Sequence, residues 1–200
     1  MASAALSTMT TVSAGVEIER QWRAHPGLRL PAEIAEWRCV DELDERLVDH
    51  YYDTAKMELH RRRARLRVRR SEALTSSTLK RRISSTAGLR RRIEIEGPCA
   101  HDPEASLAFV AARLLTLQPL RPIGHIITAR ATRIYTYEGR RVEVVRDRVR
   151  YPIGRDEWRL EVEGAAEDVT RVADVLEQLR LGLAPVRRGK IQTLLRRCAA

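Results

Sequence analysis

Charged and apolar residues alternate with a period of two along much of this chain, and the charged face carries both signs. Along Ala64–Arg70, Arg65, Arg67 and Arg69 share one side while Ala64, Leu66 and Val68 share the other, as in a half-buried strand. Leu89–Glu96 sets Arg90, Arg92, Glu94 and Glu96 opposite Leu89, Arg91, Ile93 and Ile95, and Trp158–Glu163 sets Arg159, Glu161 and Glu163 opposite Trp158, Leu160 and Val162. Side chains at i and i+2 of a strand lie on one face, roughly 6.6–7 Å apart. The pairs Glu17/Glu19, Glu94/Glu96 and Glu161/Glu163 can therefore each aim two carboxylates into one space, which suggests a metal site.

Alternating charge is commonly explained by a solvated sheet face. Here the charged faces mix both signs tightly, while the opposite faces and the helices already supply enough apolar residues for a core. A closed barrel with a charged lumen accounts for both observations. Its apolar outer faces pack against helices, and its lumen can hold a divalent cation beside several phosphates. The expected class is α+β and predominantly β. Helices are predicted over Pro31–Val40, Glu167–Leu181 and Pro103–Leu117, the last capped by Asp102. Glu138–Gly139 interrupts Ile127–Tyr137 and Arg140–Asp147 and predicts a tight hairpin.

With 200 residues, 44% of them hydrophobic, the chain can form one domain with a real core. Residues 1–14 are rich in Ala, Ser and Thr and carry no charge, so they are expected to be a disordered tail before a single domain over 15–200. A net charge of +10, with 34 arginines against 3 lysines, calls for a polyanionic partner: nucleic acid, a membrane surface or a phosphorylated small molecule. The run Arg61, Arg62, Arg63, Arg65, Arg67, Arg69 and Arg70 would allow nonspecific nucleic-acid binding, but 4% aromatic content leaves few platforms for bases. Cys39, Cys99 and Cys198 lack disulfide or zinc spacing, and no apolar run approaches the ~18 residues of a membrane helix. A cytoplasmic protein with no membrane partner is expected. The five histidines are assigned no role. Trp22, Trp37 and Trp158 are read as packing residues, and Glu177 as part of a solvated helix face.

VEIER at Val16–Arg20, YYDT at Tyr51–Thr54, RLRVRR at Arg65–Arg70, TLK at Thr78–Lys80, RRIEIE at Arg91–Glu96 and RLEVE at Arg159–Glu163 occur in order, followed by Arg188-Gly189-Lys190. In this series the chain resembles the CYTH, or triphosphate tunnel metalloenzyme, family. The resemblance implies an eight-stranded antiparallel closed barrel, a tunnel with flanking helices. It also implies Mg2+- or Mn2+-dependent hydrolysis of tripolyphosphate, thiamine triphosphate or a nucleoside triphosphate. Alternatives are an organic diphosphate as substrate, cyclisation of a nucleotide, or a noncatalytic polyphosphate, nucleotide or nucleic-acid binder. Oligomeric state stays open, a homodimer included.

Carried over by position, the resemblance makes Glu17, Glu19, Glu161 and Glu163 metal ligands, with Glu94, Glu96 and Asp147 as weaker candidates. Arg67, Arg69, Lys80, Arg92, Arg133 and Lys190 would bind phosphate, and Glu17, Glu19, Lys80 and Arg133 would be catalytic. Two departures stand out. Gln21 occupies the position of the signature's lysine. Ala131 stands where relatives carry a lysine two residues before the arginine matched by Arg133, and strand parity is expected to turn Arg130 away.

Overall fold

The computed structural model describes residues 12–86, 88–99 and 102–199. Residues 1–11 of the expected tail lie outside that range, whereas Ser13 and Ala14 already belong to the first strand, β1 (Ser13–Ala24). The chain continues through β2 (Glu33–Ile34), β3 (Trp37–Asp53), α1 (Glu58–Arg61), β4 (Ala64–Arg70), β5 (Thr75–Thr86) and β6 (Leu89–Pro98). A 3-10 turn at Pro103–Ala105 leads into α2 (Leu107–Arg113), then β7 (Arg121–Tyr137), β8 (Arg140–Arg150), β9 (Glu157–Gly164), α3 (Ala166–Gln178), β10 (Ala184–Pro185) and α4 (Lys190–Cys198).

Eight of these strands form an antiparallel ring in the order β1-β6-β5-β4-β3-β7-β8-β9. The seam is β1, whose Ser13–Arg20 pairs with β6 while Glu19–Ala24 pairs with β9. A closed ring leaves no edge within it, and its side-chain alternation separates a lumen from an outer face. The expected tunnel is thus the observed architecture.

The outer face is apolar and divided between two cores. Trp22, Val142, Val144, Leu160 and Val162 pack under Val169, Val172 and Leu176 of α3, and Ala64, Leu66, Val68 and Leu79 pack under Phe109 and Ala112 of α2. A third cluster closes one end of the tunnel, where Tyr51, Ile126, Val149 and Tyr151 meet Ile191 and Leu194 of α4.

The helix predicted over Pro31–Val40 is not formed. Ala35, with φ 49°, turns the chain back so that Ile34 pairs with Trp37 and Glu33 with Arg38. Ile34 and Trp37 are buried there beneath α3, so tertiary packing overrides the local apolar spacing. The Pro103–Leu117 prediction shortens to the 3-10 turn plus α2, and Asp102 caps the 3-10 turn by accepting from the Glu104 amide at 2.9 Å. The Glu138–Gly139 hairpin forms with φ of 48° and 74°, the left-handed pair required by a type I′ turn. Glu177, expected in solvent, accepts from Trp22 Nε1 at 2.7 Å and Arg20 Nη2 at 2.9 Å, tying α3 to β1.

Candidate active site

The inward side chains enclose a cavity of about 540 Å³, within the range of small-molecule sites. Glu17, Glu19 and Gln21 enter it from β1, Arg65, Arg67 and Arg69 from β4, Lys80 from β5, and Glu94 and Glu96 from β6. Arg130 enters from β7, Arg159, Glu161 and Glu163 from β9, and Lys190 from the start of α4. Every one of these strand positions obeys the period of two, and Lys190 reaches the lumen from a helix start.

One oxygen from each of Glu17, Glu19 and Glu163 lies within 4.8 Å of the others. Glu19 and Glu163 are direct cross-strand partners, so the seam between β1 and β9 builds this cluster from two strands. Burial, together with Glu17, Glu19 and Glu161, pushes the Glu163 carboxyl up to about 8 against the pull of Lys80. Buried Glu19 Oε1 ion-pairs with Arg92 and lies 3.8 Å from Arg90. Three hard carboxylate donors under mutual repulsion suit a divalent cation. Glu161, expected in this set, instead lies 3.0 Å from Lys190 and 3.8 Å from Arg130. Burial is the largest influence and would raise its pKa, but Lys190 and Arg130 together hold it low.

The cations nearest the cluster are Lys80 and Arg92. Lys80 bridges Glu17 and Glu94, the latter at 3.0 Å, while Arg92 contacts Glu17 at 3.2 Å and also Glu19. These two cations overcome burial and lower the Glu17 carboxyl to about 2. Farther along, Arg69 grips Asp49 bidentately at 2.7 and 2.9 Å, and Arg67 lies 3.5 Å from the same carboxylate. Glu96 accepts from Ser76 at 3.1 Å and Thr78 at 3.0 Å. Both remaining acidic candidates, Glu96 and Asp147, are therefore held by protein partners.

Arg133 is corrected from a lumen position to an outer one. Its Nη1 donates to Leu30 O and its Nη2 meets Glu42 at 3.1 Å. Arg130, which parity was expected to turn away, is the inward arginine of β7 and forms two bonds with Asp147, at 2.9 and 2.8 Å. Lys190 contacts the same carboxylate. Ala131 shares the parity of Arg133 and so leaves no gap in the lumen. The dense arginine run likewise splits: Arg65, Arg67 and Arg69 enter the tunnel, while Arg61, Arg62 and Arg63 are exposed outside it.

The phosphate-binding set expected from the sequence leaves out Arg65, Arg90 and Arg159, although all three lie on the charged strand faces. Arg65 makes no salt bridge among the described residues, and burial with neighbouring Arg92 lowers its pKa. Arg90 lies 3.8 Å from Glu19 and donates to Gln21. Arg159, 1% exposed, spends Nη2 on Glu157, Tyr151 and Thr193, leaving Nε and Nη1 without hydrogen-bond partners among the described residues. The period-two signal that placed their strands was sufficient to find all three.

The CYTH domain model matches residues 16–195, and the chain belongs to that family. HpAC1 of Hippeastrum, a candidate adenylyl cyclase described as having a dominant triphosphatase activity, shares 19% identity with a TM-score of 0.64, over 90% of this chain and 95% of its own. A candidate adenylate cyclase of Bacillus halodurans shares 23% identity with a TM-score of 0.64, over 90% and 97%. PH1819 of Pyrococcus horikoshii OT3 shares 19% identity with a TM-score of 0.51, over 90% and 98%. These likenesses establish a shared fold. No curated protein matches the chain.

Proposed function

We propose that this chain is a metal-dependent phosphohydrolase that takes the triphosphate group of its substrate into the tunnel. The observation that carries the reading is the Glu17/Glu19/Glu163 cluster set in the same lumen as Arg65, Lys80 and Arg159, with Arg92 paired to Glu17 and Glu19. A pure anion binder gains nothing from carboxylates that repel its ligand. Magnesium or manganese fits the all-oxygen donor set and would, when bound by Glu17, Glu19 and Glu163, neutralise and polarise phosphate oxygens.

Phosphoryl transfer depends chiefly on positioning and charge stabilisation. Arg65 and Arg159 carry guanidinium N–H groups not engaged by acids of the tunnel, and these are assigned to phosphate oxygens, where an arginine fork is well matched. Lys80 and Arg92 hold Glu17 in place and lie at the boundary between acidic cluster and cations. Glu94, anchored by Lys80 at 3.0 Å, is assigned to orienting the attacking water. The other lumen ion pairs, Arg69–Asp49 and Arg130–Asp147, keep the walls rigid.

The dominant triphosphatase activity described for HpAC1 supports hydrolysis over cyclisation. The test is product analysis with tripolyphosphate, thiamine triphosphate and ATP in Mg2+ or Mn2+. Orthophosphate with diphosphate or a nucleoside diphosphate supports hydrolysis. Diphosphate with a cyclic nucleotide replaces it with cyclisation, and absence of all turnover by folded protein that still binds tripolyphosphate leaves a binder.

A further inference from the structure

Helix α2 and the turn that follows it carry two apolar faces. The inner one, Ala108, Phe109 and Ala112, is buried against Leu66, Val68 and Leu79 of the barrel wall. The outer one, Leu107, Val110, Leu114 and Leu117, is 49%, 44%, 85% and 91% exposed. These four residues follow one another at intervals of 3, 4 and 3, the a/d spacing with which one helix packs on another.

The outer stripe is anchored. Glu58 of α1 accepts from the backbone amides of Leu117 at 3.0 Å and Gln118 at 3.3 Å, and Thr116 Oγ1 donates to Ala112 O at 3.4 Å. A fixed turn thus holds Leu114 and Leu117 in water, and an exposed apolar patch of this kind marks a contact surface.

Charge narrows the choice of partner. Within residues 103–118 the charged side chains are Glu104 and Arg113, ion-paired with each other near opposite ends of α2. This stretch is therefore neutral in a chain of net charge +10, so two copies can meet here without setting their basic excess face to face. A two-fold interface must also complement itself. Two antiparallel copies of α2 satisfy that condition, because each Glu104 then faces the partner's Arg113 along the shared leucine seam. A helix that lies on anionic lipid is basic along its polar face, whereas this one is flanked by one acid and one base.

We infer that the chain forms a homodimer in which α2 packs antiparallel on α2 of a second copy. The lumen lies on the other side of the barrel wall from this face, so dimerisation is independent of the tunnel chemistry.

The test is sedimentation velocity of the full chain over a concentration series, with circular dichroism confirming the fold of every variant. The wild type is expected to dimerise with a micromolar or tighter Kd. Leu114→Glu/Leu117→Glu should raise that Kd by at least about thirtyfold, the effect of losing central apolar anchors. Both leucines are exposed, so the substitution spares the core. Glu104→Arg and Arg113→Glu should each weaken the dimer by roughly three- to tenfold, and the double reversal should restore it to within about twofold of wild type. A wild type that is monomeric at every concentration, or a dimer indifferent to the leucine substitutions, would overturn the interface. Single reversals that the double does not rescue would overturn the antiparallel arrangement. A monomer that floats with anionic vesicles through Leu114 and Leu117 would replace the dimer with a lipid surface.

Discussion

Arg90 donates through Nη1 to the side-chain oxygen of Gln21 and through Nη2 to Val186 O at 2.9 Å. A cation from β6 thus stands against the residue of β1 that replaces the signature's lysine. Glu19 and Arg90 are register partners, which fixes the arginine beside that position. Arg90→Ala should therefore lower kcat/KM for tripolyphosphate by about ten- to a hundredfold, as expected for a lost charge-assisted contact. Gln21→Ala should cost less than about threefold by the same measure. A larger loss at Gln21 would show that the amide itself carries the substrate contact.

The two arginines of β7 should behave oppositely. Arg130 shares the lumen with Asp147, Glu161 and Lys190, whereas Arg133 holds Leu30 O and Glu42 outside. Arg133→Ala is expected to leave kcat/KM within about twofold of wild type and lower only thermal stability. Arg130→Ala is expected to reduce kcat/KM by at least about tenfold, because Lys190 then has Asp147 to itself and swings with it. Steady-state kinetics and a melting curve for each variant separate the two effects.

Asp49 is fully buried between Arg67 and Arg69. Burial would raise its pKa, but Arg69 and then Arg67 hold it far below the usual carboxylate range. Asp147 is likewise depressed against its burial, by Arg130 and Lys190. A depressed folded pKa contributes stability above the unfolded value, near 3.9, and loses it as pH falls through the folded one. Urea midpoints should thus hold down to about pH 4–5 and fall below that. Asp49→Ala should destabilise by roughly 3–5 kcal/mol at neutral pH, because it strands two buried guanidinium groups, and should flatten the acid limb.

Much of this architecture was legible from alternation alone. The period of two placed β4, β6 and β9, and the mixture of charge on their inner faces favoured a lumen over a solvated sheet. The Pro31–Val40 segment was illegible because its turn depends on Ile34 and Trp37 finding α3, a contact distant in sequence. The start of α4 was missed although Ile191, Leu194 and Leu195 have helical spacing, since the basic segment before it reads as loop.

The Arg133 assignment was avoidable. The Glu138–Gly139 turn pairs Tyr137 with Arg140, and the same register carries Arg130 to Asp147 and Arg133 to Val144. An inward Asp147 requires an inward Arg130, while Val144 belongs to the outer core. Glu161, by contrast, could not be separated from Glu163 by sequence. Its claim on Lys190 arises only when α4 folds across the tunnel end.

In the proposed function Glu17 and Glu19 load the tunnel with a divalent cation for triphosphate hydrolysis. The most direct measurement is phosphate release from tripolyphosphate by wild type and Glu17→Gln/Glu19→Gln, each with Mg2+, with Mn2+ and in EDTA, with circular dichroism confirming the fold. Turnover by the wild type is expected only with metal, with a loss of about a hundredfold or more in the variant, equivalent to at least about 2.7 kcal/mol of transition-state stabilisation. Turnover that persists in EDTA or survives the double substitution would contradict it.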